Sequence, residues 1–191
     1  MLEEERWMQT YTGKKFPTNP TASDICIEDI AHSLSMLCRF NGHCKEFYSV
    51  AQHSVFVSNL AMGCTEVAED QLVYVSKLGL LHDASEAYLG DIPTPIKTDE
   101  DWKKEFGLSC CIRAAFGFDA LLPKEMYGII SKLDAFALAC EKAVLMPDFL
   151  EWPGVESINP IDVEIIPQSP KEAEQSFLDR FVSLFGKEWY A

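Results

Sequence analysis

No stretch of this sequence stays apolar for the ~18–20 residues that a membrane-spanning helix needs. The opening residues, MLEEERWMQT, lack both the basic start and the apolar run of a signal peptide. A soluble, cytoplasmic protein is expected. Basic residues are scarce, 16 against 30 acidic ones, and the net charge of −14 repels nucleic-acid backbones. Neither a nucleic acid nor a membrane is therefore expected as a partner. A small anionic substrate stays open, provided that a few cations or a metal ion gather in one pocket. The seven Cys contain no CxxC pair, which argues against a zinc ribbon or a thioredoxin-like centre. Cys110 and Cys111 are neighbours, an awkward geometry for a mutual bridge. Reduced core thiols are expected. Sustained period-two alternation is also missing, apart from short strand candidates at 24–27 and 161–166. No internal repeat or low-complexity tract interrupts the chain.

What is present is helical. With 48% hydrophobic residues in 191, the chain can bury a core of one ordinary domain spanning 1–191. Ile30, Leu34 and Leu37 form one stripe of a helix over 28–40. Ser49 and Gln52 have capping-box spacing ahead of a helix over 50–62. Thr65 is placed to cap a long helix over 66–89, carrying Leu72, Val75, Leu78, Leu81 and Leu89, with Gly90 at its stop. A proline-rich loop, DIPTPIK, precedes a helix over 100–116 that ends at Gly117. Pro123 suits the first turn of a helix reaching Met146. Residues 147–168 read as an extended loop, and Ser169, Pro170 and Glu172 open a last helix to about Phe185. The architecture predicted is a compact all-α domain of six or seven helices.

Only four His occur, and two keep informative company. His82 precedes Asp83 near the end of an apolar helix, and Glu86 follows four residues later, on the same helical face. A catalytic divalent cation needs several N and O ligands with positions left open. His82 and Asp83 supply two. His53 and Asp134 each lie mid-helix among apolar neighbours, where a carboxylate is costly unless paired or coordinated. Taken singly, the plainer readings are a salt-bridged or exposed Asp134 and a hydrogen-bonded core His53.

Jointly, the pattern resembles the HD-domain phosphohydrolases. RFNGH (39–43), SVAQHS (49–54), HDASEAYLGDIPTPIK (82–97) and KLDA (132–135) recur in this order in the 5′-deoxynucleotidase branch. The N-terminal stretch YTGKKFPTNPTASDICIEDIAHSLS is similar to the phage-type dATP triphosphohydrolases. The resemblance spans about residues 11–145 and is most specific in HDASE…GDIPTP.

The resemblance implies an HD-domain helical bundle with one divalent metal ion (Zn, Co, Mn, Fe or Mg) held by His53, His82, Asp83 and Asp134. It implies that Glu86 and Asp91 handle the attacking water and proton transfers, that Arg39 anchors phosphate and that Phe40 packs on the deoxyribose. Close relatives place Trp after this Arg, and deoxynucleotidases often have Glu where Gln52 stands. Lys97 is a further candidate for phosphate, and His43 for substrate contact. His32 and the tryptophans Trp102, Trp152 and Trp189 are expected in structural roles. The reaction expected first is hydrolysis of dATP to deoxyadenosine and triphosphate, in a bacterial or phage-infected cell. The alternatives are a 5′-deoxynucleotidase acting on deoxynucleoside monophosphates and a non-catalytic nucleotide-binding module. A homo-oligomer, dimer or hexamer, is the implied assembly.

Overall fold

The computed structural model describes residues 6–147, 150–155, 157–161 and 163–189. Its helices are α1 (Ile27–Met36), α2 (Val50–Ala61), α3 (Leu72–Leu81), the single turn α4 (Glu86–Leu89), α5 (Asp99–Ala115), α6 (Lys124–Leu145) and α7 (Pro170–Phe185). The protein is an all-α bundle, as its helical periodicity predicts. α2 is central: it packs on α3, α7, α6 and α1, while α7 also lies against α1 and α3. None of the described helices is long and apolar enough to cross a membrane.

The termini of these helices follow local chemistry. Thr98 and Asp101 form a reciprocal capping box at the start of α5, as do Ser169 and Glu172 at α7. Ser49 caps α2 by accepting from the Gln52 amide nitrogen at 3.1 Å. The Gln52 side chain, however, does not return to the cap. It donates to the Ile166 carbonyl and accepts from Gln168 N, which ties the loop before α7 onto α2. Of the strand candidate at 161–166, Asp162 lies outside the described residues; the others form no strand, and the Ile166 carbonyl is taken by Gln52 instead. The candidate at 24–27 fails differently. Only Ile25 and Cys26 are extended there, and the Cys26 carbonyl already accepts the first bond of α1 from Ile30 N.

The strands that do form are β1 (Trp7–Gln9) and β2 (Lys15–Pro17), a short antiparallel hairpin. The long helix expected over 66–89 is broken. Residues 69–71 make one 3-10 turn, and α3 starts only at Leu72, where the apolar periodicity itself begins. After Leu81 the chain tightens. Ala84 N donates to Leu81 O and Glu86 N to Asp83 O, both three residues back, before α4 resumes. His82 and Glu86 are therefore not one α-turn apart on a regular helix.

α7 belongs to the core. Ala173, Phe177, Phe181 and Phe185 are buried along one face, and Phe181 stacks on Phe185 with centroids 4.4 Å apart. Each such Phe stabilises the bundle by roughly 1.5–3 kcal/mol. Arg180 reaches across to α2 and α3, donating to Ser58 Oγ at 2.9 Å and Ser76 Oγ at 2.8 Å. All seven Cys are free thiols, and only Cys26 and Cys140 are buried.

Candidate active site

Three helices converge on one cluster. His53 comes from the middle of α2, His82 and Asp83 from the tightened turn after α3, and Asp134 from the middle of α6. His53 is fully buried, and its Nδ1–H donates to Glu141 Oε1 at 2.7 Å. His82 Nδ1–H donates to the Gly79 carbonyl at 2.8 Å. A carbonyl accepts only, so the proton of His82 sits on Nδ1. The two Nε2 atoms then face each other with lone pairs, 3.3 Å apart. Asp83 Oδ2 lies 3.1 Å from His82 Nε2 and 3.6 Å from His53 Nε2. Asp134 Oδ1 lies 3.1 Å from His53 Nε2 and 3.8 Å from His82 Nε2.

These spacings fit a divalent cation. Adjacent corners of an octahedron with ~2.1 Å bonds lie about 3 Å apart. Two neutral imidazoles and two carboxylates suit a borderline or hard ion and leave positions open. Asp134 is 42% exposed, so the opening lies on its side. Burial disfavours the imidazolium of His82, yet Asp83 and Asp134 outweigh it and hold His82 well above its ordinary value. Burial works against the Asp134 carboxylate as well, but His53 and His82 keep it well below its ordinary range.

Arg39 stands beside this cluster. The predicted helix over 28–40 stops at Met36, because Leu37 and Cys38 become extended. There the chain pairs with the residues before α2: Val50 N donates to Leu37 O, and Arg39 N to Tyr48 O. A 3-10 turn over Arg39–Gly42 follows, in which Phe40 (φ 56°) and Asn41 (φ 53°) are left-handed. Such a conformation costs on the order of 1–3 kcal/mol for a side chain without glycine's freedom. It aims the guanidinium inward. Arg39 Nη2 lies 3.2 Å from Glu141 Oε2 and Nη1 lies 3.8 Å from Asp83 Oδ2. Its Nε is buried without a hydrogen-bond partner. Burial opposes the charge, but Glu141, Asp83 and Asp134 more than offset it, so Arg39 stays cationic.

Glu86 lies on the other flank, buried, with Oε1 3.9 Å from Lys97 Nζ and Oε2 lacking a hydrogen bond. Burial, then the charges of Asp83 and Asp91, push its carboxyl up to about 10. Asp91 is also raised, chiefly by burial. A cavity of about 180 Å³ opens here, lined by Glu86, Gly90, Lys97 and Glu105. A larger hollow of about 430 Å³, between the hairpin and α1, contains none of the cluster. Chemistry rather than volume therefore locates the site.

The expected site residues thus divide. His53, His82, Asp83, Asp134 and Arg39 come together, with Glu86 and Asp91 close enough to be shifted by their charges. Lys97 is engaged at 2.6 Å by Glu105 and lies over the Trp102 ring. His43 is exposed, and no ion pair or hydrogen bond among the described residues ties its ring to the cluster. Phe40 meets Trp152 edge-on, with centroids 5.9 Å apart. His32 is where a structural role predicts, stacked on Tyr11 and 3.0 Å from Glu174. Two buried partners lay outside those expectations: Glu141 and Tyr48, whose OH donates to Glu141 Oε1 at 2.9 Å. The available signal was spacing: Glu141 follows Asp134 by two helical turns.

The YfbR-like 5′-deoxynucleotidase family model matches residues 30–130. The chain belongs to this family. It is a metal-dependent phosphohydrolase of the HD type, and the matched span holds Arg39, His53, His82, Asp83 and Glu86. It is 36% identical over 183 residues to YfdR, an uncharacterized protein of Escherichia coli K12, covering 93% of this chain and 95% of that protein. An uncharacterized protein of Rhodobacter capsulatus is 32% identical over 141 residues, 71% of this chain and 70% of its own length.

Proposed function

We propose that this enzyme is a 5′-deoxynucleotidase, releasing phosphate from deoxynucleoside 5′-monophosphates. The observation that carries the reading is Arg39: a buried guanidinium with a free Nε, set against a cluster of metal ligands in a chain of net charge −14. A planar fork with unused donors is suited to the oxygens of a phosphate. The dATP triphosphohydrolase reaction expected first from the sequence has weaker support, because the family match favours monophosphate chemistry.

His53, His82, Asp83 and Asp134 would hold the ion. A divalent cation bound there supplies Lewis acidity to the phosphoryl group and acidifies water. Arg39 binds and orients the phosphate. Glu86, which keeps its proton at neutral pH in the metal-free protein, is placed to exchange protons with the attacking water and the leaving 5′-oxygen. Asp91 sits beside it as a second proton-handling carboxyl. Phe40 lies next to Arg39 in sequence and packs on the sugar, against C2′.

The test is a panel of deoxynucleoside monophosphates, deoxynucleoside triphosphates and the matching ribonucleotides, each with Mn, Co, Zn, Fe or Mg. Deoxynucleoside monophosphates should yield nucleoside and inorganic phosphate. Preferred release of triphosphate from dATP would instead favour the triphosphohydrolase. No hydrolysis with any of these metals would leave a nucleotide-binding module.

A further inference from the structure

Glu141 is a carboxylate with no exposed surface, and two hydrogen-bond donors and one guanidinium, from three separate segments, surround it. Oε1 accepts from His53 Nδ1 of α2 at 2.7 Å and from Tyr48 OH at 2.9 Å. Oε2 lies 3.2 Å from Arg39 Nη2, an ion pair without a hydrogen bond. We propose that Glu141 is a positioning residue shared by both halves of the site, setting His53 for the metal with one oxygen and Arg39 for the phosphate with the other. The phosphate half of this proposal rests on the functional reading above; the metal half does not.

The argument turns on what else could occupy the position. Holding the proton of His53 on Nδ1 leaves Nε2 free to coordinate. Holding Nη2 of Arg39, while Nη1 lies 3.8 Å from Asp83, spans the guanidinium between the two acidic groups and leaves Nε over. A carboxylate is negative on both sides, accepting from His53 on one and facing the Arg39 cation on the other. An amide of the same shape has one acceptor and one donor. If its oxygen faces His53, its NH₂ confronts the guanidinium. If its oxygen faces Arg39, its NH₂ confronts Nδ1 and drives the imidazole proton to Nε2, where it blocks coordination. Glu141→Gln must therefore lose one half of the site, although it preserves volume. Tyr48 supplies the comparison, since it bonds the same oxygen and serves neither half.

The experiment compares the wild type, Glu141→Gln and Tyr48→Phe. Metal affinity is measured by equilibrium dialysis with Mn or Zn. The His53 tautomer is read from ¹⁵N NMR of the metal-free protein, and KM and kcat are measured on a deoxynucleoside monophosphate. Glu141→Gln should either weaken metal binding about 10- to 100-fold with the His53 proton on Nε2, or keep the metal and raise KM about 10-fold with a smaller change in kcat. Tyr48→Phe should leave both near wild type. Wild-type metal affinity together with wild-type KM in Glu141→Gln overturns the proposal. So does an equal loss in Tyr48→Phe, which would mark Glu141 as merely structural. If Glu141→Gln does not fold, Glu141→Asp replaces it: the charge stays but, one methylene shorter, it cannot reach both partners. A wild type that binds metal and cleaves no nucleotide removes the functional reading and the phosphate half, and the dialysis and tautomer then decide the metal half.

Discussion

His53 and His82 each have Nδ1 held by a partner, Glu141 and Gly79, so their Nε2 atoms are fixed before any ion arrives. Across the pocket the situation is reversed. Arg39 Nε and Glu86 Oε2 are buried without hydrogen bonds. The His and Asp cluster is built from α2, α6 and the tightened turn after α3, while the flank draws on the left-handed turn at Phe40 and Asn41 and on α4. The difference separates two tasks. The two histidines have second partners; Arg39 and Glu86 keep bonding capacity unused, at a cost in stability.

The sharpest way to break this comparison is to remove part of the cluster. Asp134→Ala should abolish both metal binding and turnover while the fold survives, since the side chain is 42% exposed. Full metal occupancy by elemental analysis would show that three donors suffice. On the flank, Glu86→Gln should retain the metal and lose about 10²-fold or more in rate, the scale of an acid–base group. Unchanged turnover would make Glu86 a buried bystander.

Sugar choice should respond next. Phe40→Ala should raise ribonucleotide cleavage relative to deoxyribonucleotide cleavage. An unpaired 2′-hydroxyl against the ring costs roughly 1–3 kcal/mol, about 5- to 150-fold. A wild type that cleaves both sugars equally would take Phe40 out of this role. The smallest effect concerns stability. A carboxyl raised to about 10 in the fold keeps its proton while its unfolded counterpart releases it near the ordinary value of 4.5. The unfolded state then binds fewer protons, so stability falls as pH rises between about 4.5 and about 10. Glu86→Gln should therefore raise the Tm of chelator-treated protein at pH 8 by about 2–4 °C per kcal/mol recovered, and by less at pH 5. A gain independent of pH would point to packing instead.

The coming together of His53, His82, Asp83 and Asp134 was legible because their surroundings were: a carboxylate and a histidine each mid-helix among apolar residues, in step with an HD pair. Glu141 was not, although it too lies in a helix, because its importance depends on how α6 turns against α2. Arg39 was placed at a helix end, whereas Leu37 leaves the helix to pair beside Val50, a long-range preference that periodicity does not record. The hairpin was invisible for another reason. Trp7, Met8 and Gln9 are all exposed, so no alternation marks the strand. The break before His82 escaped notice because Leu81, Ala84 and Glu86 are all buried in the tightened turn, just as a longer helix would bury them.

Gly79 joins the two histidines in a further way. A Cβ at this position would meet Val57 Cγ1 at 3.3 Å and the Ser58 backbone at 3.4 Å, so α2 and α3 approach as closely as a bare backbone permits. The same residue's carbonyl fixes the ring of His82. Helix spacing and ring orientation thus share one calliper, which bears on how the two imidazoles face each other. A methyl group on Gly79 would oblige Val57 or the Ser58 backbone to give by a few tenths of an ångström. Ions that need short, regular bonds would feel the change more than larger ions with pliant coordination shells. The spacing of the two imidazoles is in that sense tied to a residue outside the cluster itself.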